Sequence, residues 1–213
     1  MRMKVPGIRK TMRTMAVNIE VAHPDIALCQ PTVYPNAVPE SLITKDVIRL
    51  GRSCSASFQG SPLSTMRGFL MYRLVKRIMT DDQGYDFGQG ALLGNTHIYL
   101  VIGWKLPSLK AKKTCAFMVQ FENDQCPTGD EAKEQFLDGF INTMLGAEHD
   151  VNAYALDHGV RFQMLATTSN QTKFTLHVEI APLGKALGRN VITDSNFESY
   201  VGFVSYYPKD GFM

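Results

Sequence analysis

Hydrophobic and polar residues alternate in several short segments of the chain, a pattern typical of strands with one buried face. In the first such segment Cys54, Ala56 and Phe58 alternate with serines. The same alternation predicts three more strands, at residues 115–121, 160–166 and 174–180. A nearly continuous apolar run at 97–106 predicts a central strand, and an aromatic segment at roughly 200–207 predicts a last one.

Two other segments have the spacing of helices. In the first segment basic residues lie between apolar residues that recur mostly every three or four positions. The apolar residues are Met66, Phe69, Leu70, Leu74 and Ile78. This spacing predicts a basic amphipathic helix of about four turns. Thr128-Gly129-Asp130-Glu131 is a capping-box pattern and predicts the start of a second helix. Strands and helices in this order predict an α+β fold, an antiparallel β-sheet with packed helices.

The first 45 residues differ from the rest in composition. Four prolines lie between residues 21 and 45 with little periodicity around them, which is typical of an extended linker. We therefore predict a flexible, basic, proline-containing arm at 1–45 and a globular domain at 46–213. Within the arm, one segment is a candidate recognition or self-association motif: Pro31, Thr32, Val33, Tyr34 and Pro35.

Positive charge is concentrated in two places. The 213-residue chain has 22 Lys and Arg against 20 Asp and Glu, a net charge of +2. Five basic residues and no acidic ones lie within the first fifteen positions, at Arg2, Lys4, Arg9, Lys10 and Arg13. A second patch consists of Lys110, Lys112 and Lys113. Such clusters favour anionic partners, either lipid headgroups or nucleic-acid phosphates.

The chain shows no motif that indicates catalysis. It has no P-loop, no nucleophile elbow and no glycine-rich dinucleotide fingerprint, and its five histidines do not have metal-ligand spacing. We therefore predict a protein that is not an enzyme and needs no metal or cofactor. The sequence also has no apolar run long enough to span a membrane and no secretory signal, so we expect reduced cysteines and no secretion.

The order of these features resembles the matrix proteins of rhabdoviruses, especially those of the lyssavirus type, over about residues 1–180. A basic N-terminus precedes a proline-containing arm and a compact domain. The matching segments are 31–40, 53–58, 69–78 (similar to the basic first helix of that family), 98–103, 114–121 and 129–131. Pro31-Thr32-Val33-Tyr34 departs from the Pro-Pro-x-Tyr budding motif of the family. The segment therefore lacks the motif that the resemblance would assign to recruitment of host factors.

The resemblance implies a structural protein rather than an enzyme. Matrix proteins self-associate, condense the helical nucleocapsid through its nucleoprotein, and attach it to anionic lipid on the inner face of the envelope during budding. A viral glycoprotein tail and host factors are further candidate partners. The implied location is the virion beneath the envelope, and the host cytoplasm, endomembranes or nucleus. In this interpretation the basic residues bind membrane or nucleocapsid, and the arm docks on the next subunit.

Two alternatives stay open. The chain has a looser likeness to actinoporin-type cytolysins, lipid-binding β-sandwiches, at 68–72 and 101–107. Those proteins hold phosphocholine with a cluster of aromatic residues, whereas Pro107 is followed here by a lysine-rich segment. A nucleic-acid-binding module that uses the same basic patches is the second alternative, although the chain lacks the aromatic motifs typical of RNA-binding sheets.

Overall fold

Most of the residues that the structure describes form β-strands, and nearly all of these strands belong to two large sheets. The computed structural model describes residues 13–35, 41–42, 47–61, 64–79, 85–87, 92–93, 96–107, 111–122, 126–146, 151–156, 159–169, 174–187, 190–197 and 203–206. The first sheet has the strand order β11-β12-β13-β1-β5-β3. Its strands are β1 (Arg13–Val21), β3 (Ser41–Leu42), β5 (Arg52–Gly60), β11 (Asn152–Ala155), β12 (Arg161–Ser169) and β13 (Phe174–Pro182).

The second sheet has the order β16-β10-β9-β6-β2-β4, with β7 beside β6 and β8 beside β9. Its strands are β2 (Ile26–Tyr34), β4 (Val47–Ile48), β6 (Met66–Met79), β7 (Tyr85–Phe87), β8 (Leu92–Leu93), β9 (Thr96–Leu106), β10 (Lys113–Glu122) and β16 (Val204–Tyr206). A small separate pair consists of β14 (Ala186–Leu187) and β15 (Asn190–Val191).

The two sheets pack face to face as a β-sandwich. Alternate residues of β1, β5, β12 and β13 meet alternate residues of β2, β6, β9 and β10 in one buried cluster. Trp104 lies in this core with its ring centroid 4.4 Å from that of Phe58. Burial of this many apolar side chains is the main source of stability in such a fold, at about 25 cal/mol per Å² of apolar surface.

One short helical segment covers the outer face of the second sheet. It consists of α1 (Asp130–Phe136), a π-helical turn (Leu137–Ile141) and a final turn (Asn142–Met144). Phe136, Leu137 and Ile141 pack on the apolar outer side of the sheet. Gly103 permits close contact, because a Cβ there would lie 2.4 Å from Cγ2 of Ile141. The predicted start of a helix at this segment is confirmed, because α1 begins at Asp130, although its N-cap is Gly129 and no side chain caps it.

The predicted α+β fold class is wrong, because the described chain is mostly β-sheet with a single short helical segment. The principal error lies at 66–78, which forms strand β6 and not a basic helix. Leu70 and Tyr72 face the sandwich core, whereas Phe69 and Met71 face the helical segment. A strand buried on both faces loses its alternation and reads as a continuous apolar run, which here matched a helical period by chance.

The prediction of a flexible arm ahead of the globular fold is also wrong from Arg13 to Tyr34. β1 lies between β13 and β5 in the first sheet, and β2 lies between β6 and β4 in the second. The prolines mark interruptions of strands: Pro24 lies in the turn between β1 and β2, and Pro31 lies at a β-bulge where the register with β6 shifts. A bulge tolerates proline because the residue there need not donate a ladder hydrogen bond.

The predicted strands at 53–58, 97–106 and 115–121 are confirmed as β5, β9 and β10. The predicted pair at 160–166 and 174–180 is confirmed as β12 and β13, which are antiparallel neighbours.

Candidate functional site

The candidate site lies at one of the two ends of the sandwich, and the strand registers show which residues lie at each end. The tight connection between β1 and β2 puts Val21 and Ile26 at one end, and Arg52 pairs with Val21 there. At the other end Lys105, in the last part of β9, pairs with Lys113 at the start of β10. β5 has nine residues, so the two ends are about 26 Å apart. We call the second of these the lysine end, defined by Lys105, Lys112 and Lys113.

Three basic residues form a row across the second sheet at the lysine end. Arg67 of β6 pairs with Lys105 of β9, and Lys105 pairs in turn with Lys113 of β10. Like charges directly opposite each other in an antiparallel pair are destabilising. The row therefore costs stability unless an anion compensates it.

The helical segment compensates only one member of the row. Nη2 of Arg67 lies 3.1 Å from Oε1 of Glu134, and its Nη1 donates to the carboxylate of Asp138. Among the residues that the structure describes, neither Lys105 nor Lys113 forms an ion pair. Lys113 is exposed and Lys105 is partly exposed. Their ammonium groups are therefore available to an external anion.

Lys112 connects this row with the end of the first sheet. It is exposed, and its Nζ lies 5.0 Å from the ring centroid of Phe174, the first residue of β13. Phe174 pairs with Met15 of β1, two residues after Arg13. The backbone of Arg13 pairs with Gly60 at this same end, while its side chain lies outside the described part. The fold thus brings Arg13, Lys112 and Lys113 to one end of the sandwich, although Arg13 precedes the two lysines by about a hundred positions.

The other predicted basic residues, at positions 2, 4, 9, 10 and 110, lie outside the described residues. Lys105 was missed by sequence reasoning because it lies inside the strongest apolar strand. A hairpin argument could have found it, since a strand pair joined by the lysine-rich segment after Pro107 brings its flanking residues face to face.

The predicted recognition motif lies beside the helical segment. Pro31, Thr32, Val33 and Tyr34 are part of β2, and the last three pair with Met71, Leu70 and Phe69. The Tyr34 ring is 5.9 Å from that of Phe69, and desolvation together with the nearby Glu134 carboxylate raises the pKa of Tyr34. Pro35 follows the strand and is exposed.

Gly68 makes room for the Tyr34–Pro35 segment. A Cβ at Gly68 would lie 2.4 Å from the Tyr34 carbonyl oxygen and 3.0 Å from Cδ of Pro35. Because this segment pairs with β6 and packs against Gly68, it is part of a strand. It is not an exposed, extended peptide of the kind that peptide-binding domains recognise.

Other chemistry is sparse among the described residues. They include no group of three His, Cys, Asp or Glu side chains that could hold a metal ion. None of their helices is long and apolar enough to cross a bilayer. The four cysteines all lie in the described part and none of them forms a disulfide, and burial raises the pKa of Cys115 to about 12, which keeps it as an unreactive thiol.

Comparison with known proteins found no matching family model and no matching curated protein. Among solved structures, the lipid binding protein Nakanori matches with a TM-score of 0.44 and 11% identity, covering 80% of this chain and 72% of Nakanori. A lectin of Xerocomus chrysenteron matches with a TM-score of 0.45 and 10% identity, covering 79% of this chain and 99% of the lectin. Scores this low do not establish a common fold, and identities this low do not indicate a common function.

Proposed function

We propose that this protein is a non-enzymatic peripheral membrane binder that attaches to anionic lipid surfaces through its lysine end. The observation that carries the proposal is the cross-strand pair Lys105–Lys113, two cations held opposite each other with no described counter-ion. Folding alone gains nothing from this pair. A bilayer of anionic phosphates supplies the missing charge.

The expected strength of this attachment is modest and reversible. Each basic residue near an anionic surface contributes about 1 kcal/mol, so Lys105, Lys112 and Lys113 together contribute about 3 kcal/mol, or roughly a hundredfold in affinity. Basic residues of the N-terminal segment, whose sequence leads into β1 at this same end, add to the attraction. Because the interaction is between exposed charges, it weakens as salt shortens the Debye length.

Attachment to an anionic bilayer is the step that the matrix-protein resemblance requires. Self-association, nucleocapsid condensation and location in a virion remain predictions within that proposal. The cytolysin-like alternative requires a different contact, with phosphocholine. In the sequence, the six residues after Pro107 are Ser108, Leu109, Lys110, Ala111, Lys112 and Lys113, which offer charge and no aromatic ring for a choline group.

The test is co-sedimentation of the purified protein with vesicles of phosphatidylcholine alone or mixed with phosphatidylserine, at low and high salt. We expect binding that requires phosphatidylserine and falls steeply with salt. Binding to phosphatidylcholine vesicles with leakage of their contents would instead support the cytolysin-like alternative. If neither vesicle binds, the proposal fails, and RNA should be tested as the anionic partner of the same lysines.

A further inference from the structure

The outer face of the first sheet carries two adjacent rows of residues that are polar with one exception, Leu165. The first row runs across four strands, as Thr167 of β12, His177 of β13, Asn18 of β1 and Ser55 of β5. The second row, one pleat further along, consists of Leu165, Glu179, Glu20 and Ser53. A concavity of about 200 Å³ lies over these rows. It is distant in sequence and in the fold from the lysine end and plays no part in the proposed membrane contact.

Hydrogen bonds join three side chains of the first row, those of Ser55, Asn18 and His177. Oγ of Ser55 donates to Oδ1 of Asn18 at 2.7 Å, which orients the amide so that its Nδ2 faces His177. Nδ2 of Asn18 lies 3.3 Å from Nδ1 of His177. An amide nitrogen can only donate, so Nδ1 accepts and the ring proton lies on Nε2. The relay leaves His177 with one N–H directed away from Asn18 and free to donate to a ligand.

The second row concentrates hydrogen-bond acceptors. Glu20 and Glu179 pair directly across parallel strands, and the carboxylate of Glu179 accepts from the ammonium of Lys185. Glu20 is exposed and forms no ion pair with a described residue. Two carboxylates side by side are destabilising, and a single lysine offsets only one of them. The concavity therefore has acceptors in excess of donors.

We infer that this concavity binds a saccharide through a pair of neighbouring hydroxyl groups. A hydroxyl both donates and accepts, so one hydroxyl can donate to the Glu20 carboxylate while it or its neighbour accepts from Nε2–H of His177. Leu165 supplies an apolar wall for the C–H face of the ring. An oxyanion is repelled by the two carboxylates, and a bare ammonium has no lone pair to accept the hydrogen bond from Nε2–H of His177. The arrangement thus selects a neutral ligand rich in hydroxyl groups.

The experiment is a titration of the ¹⁵N-labelled protein with the methyl glycosides of glucose, galactose, mannose and N-acetylglucosamine, followed by amide and imidazole chemical shifts. We expect at least one glycoside to shift Asn18, Thr167 and His177 in a saturable way. Glu20→Gln, which keeps the shape but weakens the acceptor, should lower the affinity about tenfold, because a hydrogen bond to a charged group is lost. Asn18→Ala should also lower the affinity, because it removes the hydrogen bond that orients the His177 ring.

Ser57→Ala is the matched control, because Ser57 lies on the same outer face of β5 but outside the concavity. The affinity of Ser57→Ala for the glycoside should equal that of the unaltered protein. If Ser57→Ala lost as much affinity as Glu20→Gln and Asn18→Ala, the losses would come from a change in the fold and not from the site. Absence of saturable shifts with all four glycosides overturns the inference. It is also overturned if ethanolamine, titrated in parallel, shifts these residues while the glycosides do not, since the site would then be one for ammonium groups.

Discussion

Both sheets of the sandwich hold like charges on directly opposed residues, and two such pairs, one from each sheet, differ in how they are compensated. Lys105 and Lys113 pair in the second sheet, at one end of the molecule. Glu20 and Glu179 pair in the first sheet, on its outer face. The glutamates have Lys185 beside them and a hydrogen-bonded row next to them. The lysines have no such described partner.

The difference indicates what kind of partner each pair meets. A partly neutralised pair inside a concavity of about 200 Å³ is suited to a small neutral molecule that supplies donors. An uncompensated pair at an exposed end is suited to an extended surface of opposite charge. A like-charge pair in a strand register is thus informative only together with its surroundings.

The largest effect is expected from reversing the charge of the lysine pair. Lys105→Glu combined with Lys113→Glu should lower the affinity for phosphatidylserine vesicles by at least about a hundredfold, since each reversal replaces an attraction of about 1 kcal/mol with a repulsion. Co-sedimentation at low salt measures this loss.

The matched control for that variant is Arg49→Glu combined with Arg52→Glu, which removes the same charge from exposed residues at the opposite end. This variant should keep most of the vesicle affinity. If both double variants lose affinity equally, net charge alone governs the binding and the lysine end has no special role.

A second prediction concerns the helical segment that backs the lysine pair. Gly103→Ala should destabilise the protein by about 1–3 kcal/mol, because the added methyl group would meet Ile141 at 2.4 Å and Cys115 at 2.8 Å. Denaturant unfolding measures the change. Gly139→Ala is the control, because a Cβ at Gly139 has no described atom within 4 Å. Equal loss in the two variants would contradict the close packing at Gly103.

A third prediction contrasts the lysine end with the opposite end, which carries a buried histidine. Burial lowers the pKa of His23, whose Nδ1 accepts from the Asp25 N–H at 3.1 Å and whose Nε2 lies 3.1 Å from the Arg161 carbonyl oxygen. The unfolded chain binds this proton more readily, so the contribution of neutral His23 is present above about pH 6.5 and is lost as the pH falls below it.

The measurement for His23 is the free energy of unfolding between about pH 5 and pH 8. His23→Gln should flatten the dependence near and below pH 6.5, whereas His177→Gln, a change at an exposed histidine, should leave it in place. An unchanged pH profile in His23→Gln would show that the buried ring does not control stability.

The smallest expected effect comes from neutralising one member of each like-charge pair, which compares the lysine pair with the glutamate pair directly. Lys105→Gln should raise the free energy of unfolding by about 0.2–1 kcal/mol at low salt, because it removes the repulsion from Lys113. Glu20→Gln should raise it by less, since Lys185 already neutralises Glu179. Thermal unfolding of both variants beside the unaltered protein provides the values, and a larger gain for Glu20→Gln would reverse our ranking of the two pairs.

The sequence allowed the half-buried strands to be predicted, because their alternation reports which face is buried. It failed at β6, where Leu70 on one face and Phe69 on the other are both buried and the alternation disappears. It failed again at 21–34, where Pro24 and Pro31 were interpreted as features of a linker but mark a turn and a bulge. Proline restricts the backbone without saying whether the flanking residues pair.

The candidate site was predictable only in part. Lys112 and Lys113 stand out as a basic cluster, whereas Lys105 becomes significant only through its register with Lys113. The two rows of the first sheet depend on the parallel pairing of β1 with β13, which joins residues about 160 positions apart. Local periodicity contains no information about such pairing.

The most direct test of the membrane proposal is the orientation of the protein on a bilayer. A fluorophore would be attached to Thr65→Cys, in the exposed connection at the lysine end, or to Leu50→Cys, in the exposed turn at the opposite end, after Cys29 and Cys126 are replaced by serine. On phosphatidylserine vesicles with headgroup-quencher lipids, we expect strong quenching at position 65 and little at position 50. Equal quenching at both positions, or stronger quenching at position 50, would contradict attachment through the lysine end.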